Sequence, residues 1–187
     1  MKKFAFMFMI MSIACMGAEV EFAGIHEGMS LAQVKMLARI ESKHDNIYII
    51  NGLKKAPRVV DHAIIFTVND KVLKIAANTQ IKTVYDIIEP LKLYVSILDE
   101  MRKKYGVGES RKNVKLENIS ISGINSGRQY LTNTWRINNT SIILKLNAVS
   151  PTKACIQIVY EYPSFVKHIR YIEKKKRQKR NEAVHGF

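Results

Sequence analysis

Histidine and cysteine are the residues of this chain most able to bind a metal or to act as a nucleophile. The five histidines are His26, His44, His62, His168 and His185. No two of them have the i, i+4 spacing that places two metal ligands on one helix face. Asp61 and His62 are adjacent in a predicted strand, where neighbouring side chains point to opposite faces. The sequence therefore predicts no metal site and no cofactor.

The cysteine and glycine motifs do not indicate catalysis either. Cys155 has no His or Asp placed to activate its thiol, which favours a structural role. Residues 123–127 have the spacing G-x-x-S-G, which differs from the G-x-S-x-G of a nucleophile elbow and predicts a flexible loop. The G-x-G at 106–108 follows a predicted helix, whereas a phosphate-binding glycine loop precedes one. We expect no catalytic residue, although a small hydrolase with an unrecognised site is an alternative.

Positive charge near the C-terminus is the clearest functional signal. The chain of 187 residues carries a net charge of +14, and residues 166–187 hold eight Lys or Arg against two Glu. The predicted anion-binding residues are Lys174, Lys175, Lys176, Arg177, Lys179 and Arg180. Such a block suits the phosphates of nucleic acid or of anionic lipid.

The residues before this block have helical spacing. Phe165, Ile169 and Ile172 form an apolar stripe, which predicts a helix that lies with its apolar side in a membrane interface. A merely disordered basic tail is the alternative, and residues 181–187 are predicted to be disordered.

The N-terminus has the pattern of an export signal. Lys2 and Lys3 precede a short apolar run that ends in Gly17 and Ala18, which predicts a signal peptide over residues 1–18. A buried N-terminal helix is the alternative. Residues 12–15 resemble a lipobox, in which Cys15 would be lipidated and would anchor the protein to a membrane. We therefore expect a periplasmic or secreted protein, for which an anionic membrane surface is a better partner than nucleic acid.

Alternating apolar residues predict the sheet that must position these features. The runs 141–148 and 153–162 alternate strictly and predict a hairpin, and further strands are predicted at 47–50, 59–68, 71–77, 114–121 and 128–137. Asn69 and Asp70 form a predicted tight turn. Trp135 is expected in the core.

Helical patterns precede each group of strands. Ser30 and Gln33 form a predicted capping box for a helix that ends near Ser42. A longer helical stretch is predicted over residues 79–105, with either a kink or a division into two helices at Pro90 and a stop at Gly106. The predicted fold is α+β, with two helix-plus-antiparallel-sheet units in tandem over residues 19–78 and 79–165. A basic C-terminal helix or tail over 166–187 follows them.

Short motifs in this layout resemble a known group of proteins. Residues 28–34 match a G-M-[ST]-x-x-x-V helix opening, which resembles small secreted bacterial proteins of the BamE (SmpA/OmlA) and β-lactamase-inhibitor-protein-like fold. The second unit, from Tyr85 through Trp135 to Leu144, looks like secreted bacterial proteins with a K-Y-G … W … I-x-L … Y layout. The resemblance implies a protein-binding or envelope-assembly module without catalysis.

Two functional hypotheses follow from the sequence. The first is a non-catalytic exported module that binds an envelope protein and contacts anionic lipid through its basic tail. The second is a secreted inhibitor of an envelope or foreign enzyme, for which a strongly basic target such as lysozyme is disfavoured by charge repulsion. The sequence does not identify the protein partner or the oligomeric state.

Overall fold

The computed structural model describes residues 20–83 and 87–185 of the chain. The predicted signal peptide and Cys15 lie outside these residues. The described part is a mixed α+β fold with four helices and antiparallel sheets. The helices are α1 (Leu31–Leu37), α2 (Ile88–Tyr105), α3 (Ile121–Asn125) and α4 (Pro163–His185).

Eleven strands are present in the described residues. They are β1 (Glu21–Phe22), β2 (Ile25–His26), β3 (Arg39–His44), β4 (Ile47–Asn51), β5 (Val60–Val68), β6 (Lys71–Thr79), β7 (Lys82–Thr83), β8 (Glu109–Lys112), β9 (Leu131–Ile137), β10 (Thr140–Ser150) and β11 (Lys153–Glu161). A small β1–β2 hairpin stands beside one large sheet with the order β3-β4-β5-β6-β11-β10-β9-β8, and β7 pairs with the start of β11. Every pairing is antiparallel.

The predicted hairpin of β10 and β11 is confirmed and lies near the centre of the sheet. Leu144 pairs with Ile158, and Leu146 pairs with Ile156. On its other side β11 pairs with β6, where Tyr160 faces Ile75. Cross-strand partners share a face of the sheet, so these apolar residues form one continuous layer. Helix α2 packs on β9, β10 and β11, and its Tyr94 and Leu98 are buried in the core.

We call this layer the core face. Its buried residues include Ile50, Ile65, Ile75, Ile142, Leu144 and Ile158. They belong to one apolar cluster with Val34 of α1 and Tyr94, Ile97, Leu98 and Met101 of α2. The alternate residues of each strand form the opposite face, which helix α4 contacts through β6.

Several local predictions are confirmed. Ser30 caps α1 in a capping box with Gln33, whose side chain accepts a hydrogen bond from the Ser30 amide at 2.9 Å. Asn69 and Asp70 take φ angles of +50° and +58°, the left-handed conformation that a tight hairpin turn requires. Gly106 ends α2 with φ +79°, and its amide donates to the carbonyl of Arg102. Each of these structures depends on residues close in sequence.

The first helix is shorter than predicted. It ends at Leu37, and residues 39–44 form β3 instead of continuing the helix to Ser42. Ile40 pairs with Ile50, and Lys43 pairs with Tyr48. Strand β4 therefore has a partner on its outer side, and these backbone hydrogen bonds outweigh the helical preference of a short segment.

The start of the second helix is also wrong in the sequence-based prediction. Thr79 is the last residue of β6, Lys82 and Thr83 form β7, and α2 begins at Ile88. Pro90 consequently lies in the first turn of α2 and produces no kink. The missing N–H of a proline costs nothing there, because first-turn amides have no acceptor within the helix.

The region after α2 differs most from its prediction. Residues 114–121 are not a strand: Leu116–Asn118 is a 3₁₀ turn, and β8 lies earlier. The predicted loop at 123–127 largely belongs to α3, which Ser120 caps by accepting from the Gly123 amide at 3.1 Å. Gln129 supports this turn by accepting from the Ser120 amide at 2.8 Å. At the C-terminus α4 extends to His185, where disorder was predicted from residue 181.

Candidate functional site: the basic end of helix α4 and the opposite face of the sheet

The N-terminus of α4 is fixed to the body of the protein. The Ser164 amide donates to Glu27 Oε1 at 2.7 Å, so a carboxylate meets the positive end of the helix dipole. The hydroxyl of the preceding Tyr162 donates to the Ile25 carbonyl at 3.3 Å. Both contacts join residues 137 positions apart in the chain. The start and direction of α4 are therefore set by the segment around β2.

The apolar stripe at the start of α4 is used inside the protein. The Phe165 ring packs edge-on against Phe66, with 5.5 Å between ring centroids, and Lys74 Nζ lies 4.6 Å from the Phe165 centroid. Phe165 and Ile169 line a groove of about 290 Å³ together with Ile47 and Ile64. Phe165 thus packs on the sheet and Ile169 faces the same groove, so part of the predicted stripe is directed toward the body of the protein.

The rest of α4 carries the six predicted cations. Residues 173–181 are helical and exposed, and 100° of rotation per residue spreads Lys174, Lys175, Lys176, Arg177, Lys179 and Arg180 around the whole helix. Lys175 Nζ lies 4.8 Å from the Tyr171 ring centroid. Within residues 20–83 and 87–185, none of the six forms an ion pair. This segment is a positively charged rod about 10 Å long, at 1.5 Å per residue.

The opposite face carries a row of polar residues that sequence analysis did not find. Its members lie in register on eight successive strands: Arg39, Asn51, His62, Asn78, Gln157, Lys145, Thr132 and Arg111. Alternation specifies the two faces of one strand only, and the sequence predicts no strand at 39–44 or 109–112, so the row depends on how the strands pair, including the pairing of β6 with β11. We call this set the polar row.

The centre of the polar row is connected by hydrogen bonds. Gln157 Nε2 donates to Asn78 Oδ1 at 2.7 Å, and Asn78 Nδ2 lies 3.3 Å from His62 Nε2. His62 Nδ1 in turn lies 3.0 Å from Asp61 Oδ2. The alternation rule had placed Asp61 and His62 on opposite faces. A register shift between Val60 and His62 disturbs the strand there and brings the two side chains together.

Two titratable groups of the opposite face have shifted pKa values. Burial, together with the positive charge of Lys74, lowers the pKa of Lys145. Burial raises the pKa of the Cys155 thiol, although Asn147 Nδ2, 3.9 Å from the sulfur, opposes the shift. A raised pKa keeps the thiol protonated and weakly nucleophilic. Cys155 is 5% exposed, which agrees with the predicted structural role.

The G-x-G at 106–108 has a packing role. The Gly106 carbonyl accepts a hydrogen bond from Trp135 Nε1 at 2.8 Å. A Cβ atom on Gly108 would lie 2.6 Å from the Trp135 ring, closer than side-chain packing allows. Trp135 is 3% exposed, as expected for a core residue. The two glycines therefore make room for the Trp135 ring at the end of α2.

Metal-binding and membrane-spanning features were sought in the described part of the chain. Across residues 20–83 and 87–185, no three His, Cys, Asp or Glu residues lie close enough together to hold a metal ion. No described helix combines the length and the apolar character needed to cross a membrane. No protein-family model, curated protein or solved structure matches the chain.

Proposed function

We propose that this chain is a non-catalytic exported module that binds another protein of the cell envelope and contacts anionic lipid through the basic end of α4. The observation that carries the proposal is the exposed helical rod of six cations, none of which forms an ion pair within the described part of the chain. Each Lys or Arg close to an anionic membrane contributes about 1 kcal/mol of attraction. Six such residues supply several kcal/mol without any apolar insertion.

The lipid contact in this proposal depends on charge more than on the apolar stripe. Phe165 packs against Phe66 of the sheet and Ile169 faces the same groove, whereas residues 173–181 are exposed. Contact of this kind is weakened by salt, because the Debye length falls from about 10 Å at 0.1 M to about 3 Å at 1 M ionic strength. The Glu27 contact at the start of α4 holds the rod in a set direction relative to the sheet.

The organisation of the body into two units belongs to the same proposal. Helix α1 precedes the four antiparallel strands β3–β6, and α2 precedes the four antiparallel strands β8–β11. This arrangement supports two helix-plus-sheet units in tandem, as the resemblance to BamE-like and β-lactamase-inhibitor-protein-like proteins implies. A secreted inhibitor is the second candidate, because the polar row offers hydrogen-bonding groups on a broad sheet face to a protein partner.

Vesicle co-sedimentation tests the lipid contact. The protein from residue 19 onward should sediment at low salt with vesicles containing 30% phosphatidylglycerol and should remain in solution with phosphatidylcholine alone. A chain ending at Ile172 keeps Phe165 and Ile169 on the sheet but lacks the cations. We expect it to lose at least tenfold in partitioning, and 0.5 M NaCl should have the same effect on the intact protein.

Two variants with the same net charge distinguish a specific effect of the α4 cations from an effect of overall charge. One variant replaces the six rod cations by Gln, and the other replaces six exposed cations of the body: Lys35, Lys54, Lys55, Lys112, Lys115 and Lys153. The first should lose vesicle binding and the second should keep most of it. Equal loss in both variants would contradict a specific role of α4. Tight binding of a DNA duplex without binding to vesicles would favour nucleic acid as the partner.

A further inference from the structure

A cavity of about 600 Å³ lies between the first two turns of α2 and the strands below them. Its volume is within the range of small-molecule sites, about 300–1,000 Å³. The walls from α2 include Pro90, Leu93 and Ser96, and the floor includes Ala154 and Ile156 of β11. Both floor residues are almost fully buried. The cavity is associated with α2, whereas α4 packs on the opposite face of the sheet, so this site is independent of the proposed lipid contact.

The segment 79–83 gives the cavity its polar side. Thr79 is 4% exposed, and its hydroxyl oxygen accepts a hydrogen bond from the Ile156 amide at 2.9 Å. A hydroxyl group also has one hydrogen to donate, and no described residue accepts it. The Thr79 hydroxyl can therefore donate to a bound molecule that supplies an acceptor.

The charge at the rim indicates which acceptor fits. Lys82 and Lys92 both line the cavity, and Lys92 is paired with Glu89 at 2.9 Å. Lys82 forms no ion pair with any described carboxylate. Because Thr79 and Lys82 belong to one short segment of the lining, an acceptor with negative charge suits both, while Leu93 and Ile156 present apolar surface.

We propose that this cavity binds a small apolar molecule carrying one carboxylate group, with the carboxylate at Thr79 and Lys82 and the apolar part against Pro90, Leu93 and Ile156. The site belongs to the folded body, and loss of the basic end of α4 leaves it intact. We infer binding without chemistry, because the one thiol among the described lining residues, Cys155, has a pKa raised by burial and stays protonated.

Calorimetric titration with decanoate, below its micellar concentration, tests the site. We expect one decanoate per chain, and uncharged decanol should bind roughly threefold more weakly, as for loss of one exposed ion pair. Lys82→Met should abolish the difference between decanoate and decanol, whereas Lys35→Met, on α1, should preserve it. Absence of saturable decanoate binding, or an unchanged difference in Lys82→Met, would overturn the proposal.

Two filling variants locate the bound molecule. Ser96→Trp places a large side chain at the rim of the cavity, and Thr83→Trp does so from the opposite wall. Val95→Trp is the control, because Val95 is an exposed neighbour on the same helix that does not line the cavity. Each filling variant is first checked for an unchanged midpoint of thermal unfolding. Among the variants that pass, at least one should bind decanoate at least tenfold more weakly than the parent. Unchanged affinity in all of them would refute this location.

Discussion

The two faces of the central sheet differ in the residues that they carry and in how far those residues are buried. On the core face, Ile142, Leu144 and Ile156 are at most 1% exposed and pack under helices. Polar groups are few there, and two of them pair with each other: the Tyr94 hydroxyl donates to Asn133 Oδ1 at 2.8 Å. The opposite face instead carries the hydrogen-bonded polar row, and α4 covers the apolar residues Ile64 and Phe66 at one end.

The core face therefore contributes most of the folding free energy, and the opposite face carries polar groups that a partner could bind. Apolar burial contributes about 25 cal/mol per Å² and is concentrated on the core face. Most polar-row residues are partly exposed and contribute little by burial, which leaves them available to a partner. Burial disfavours the charged form on both faces, since it raises the pKa of Tyr94 and Tyr160 at the core face and lowers the pKa of Lys145 on the opposite face.

The largest effect should come from placing the same charge on each face of β11. Ile158→Asp would bury a carboxylate between Leu144 and Ala77 without a counter-ion, and we expect a loss of about 4 kcal/mol or more and failure to fold. Gln157→Asp removes one hydrogen bond but places the carboxylate beside Lys145, so we expect a change within about 1 kcal/mol. Urea unfolding followed by circular dichroism measures both. Equal tolerance would refute the assignment of the two faces.

An intermediate effect is expected within the polar row. Asn78 is 4% exposed and bonds to Gln157, to His62 and to the Ala76 carbonyl. Asn78→Ala leaves these groups with fewer partners, and we expect a loss of about 1–3 kcal/mol in urea unfolding. Thr132→Ala, in the same row but partly exposed, should change stability by less than about 0.5 kcal/mol. If the two variants lose equal stability, the centre of the row is no more important than its margin.

The smallest effect concerns Lys145 and depends on pH. Its pKa in the folded state is lower than the ordinary value of 10.5, so at neutral pH its charge destabilises the fold. As pH rises through the folded pKa toward 10.5, the unfolded chain binds more protons and this cost disappears. Lys145→Met should therefore stabilise the folded protein at pH 7. The gain should be only about a few tenths of a kcal/mol, because water screens the half-buried amine.

The pH dependence of this gain is the measurement. Thermal unfolding of Lys145→Met and of the parent between pH 7 and pH 10.5 should show the difference shrinking as pH rises. Lys115→Met, at an exposed lysine, is the control and should show no such trend. A difference that grows with pH would show that the amine is stabilised by its surroundings, contrary to the cause of its lowered pKa.

Some features of this protein were determined by the sequence alone because they depend on neighbours in the chain. Ser30 and Gln33 are three residues apart and form their capping box without help from the rest of the fold. The Asn69-Asp70 turn, the stop at Gly106 and the β10–β11 hairpin are local in the same sense. The cationic run is also a sequence property, since no fold could bury six such charges without partners.

Other features were decided by the tertiary structure. Residues 39–44 and 82–83 are strands because β4 and β11 offer them unpaired edges, and residues 114–121 lack their predicted strand because Ser120 and Gln129 stabilise turns there. Phe165 is apolar in any context, but only the tertiary structure places it against Phe66. The polar row and the cavity beneath α2 join residues from distant segments. Alternation along a strand specifies its two faces, whereas the identity and register of its partners depend on the whole chain.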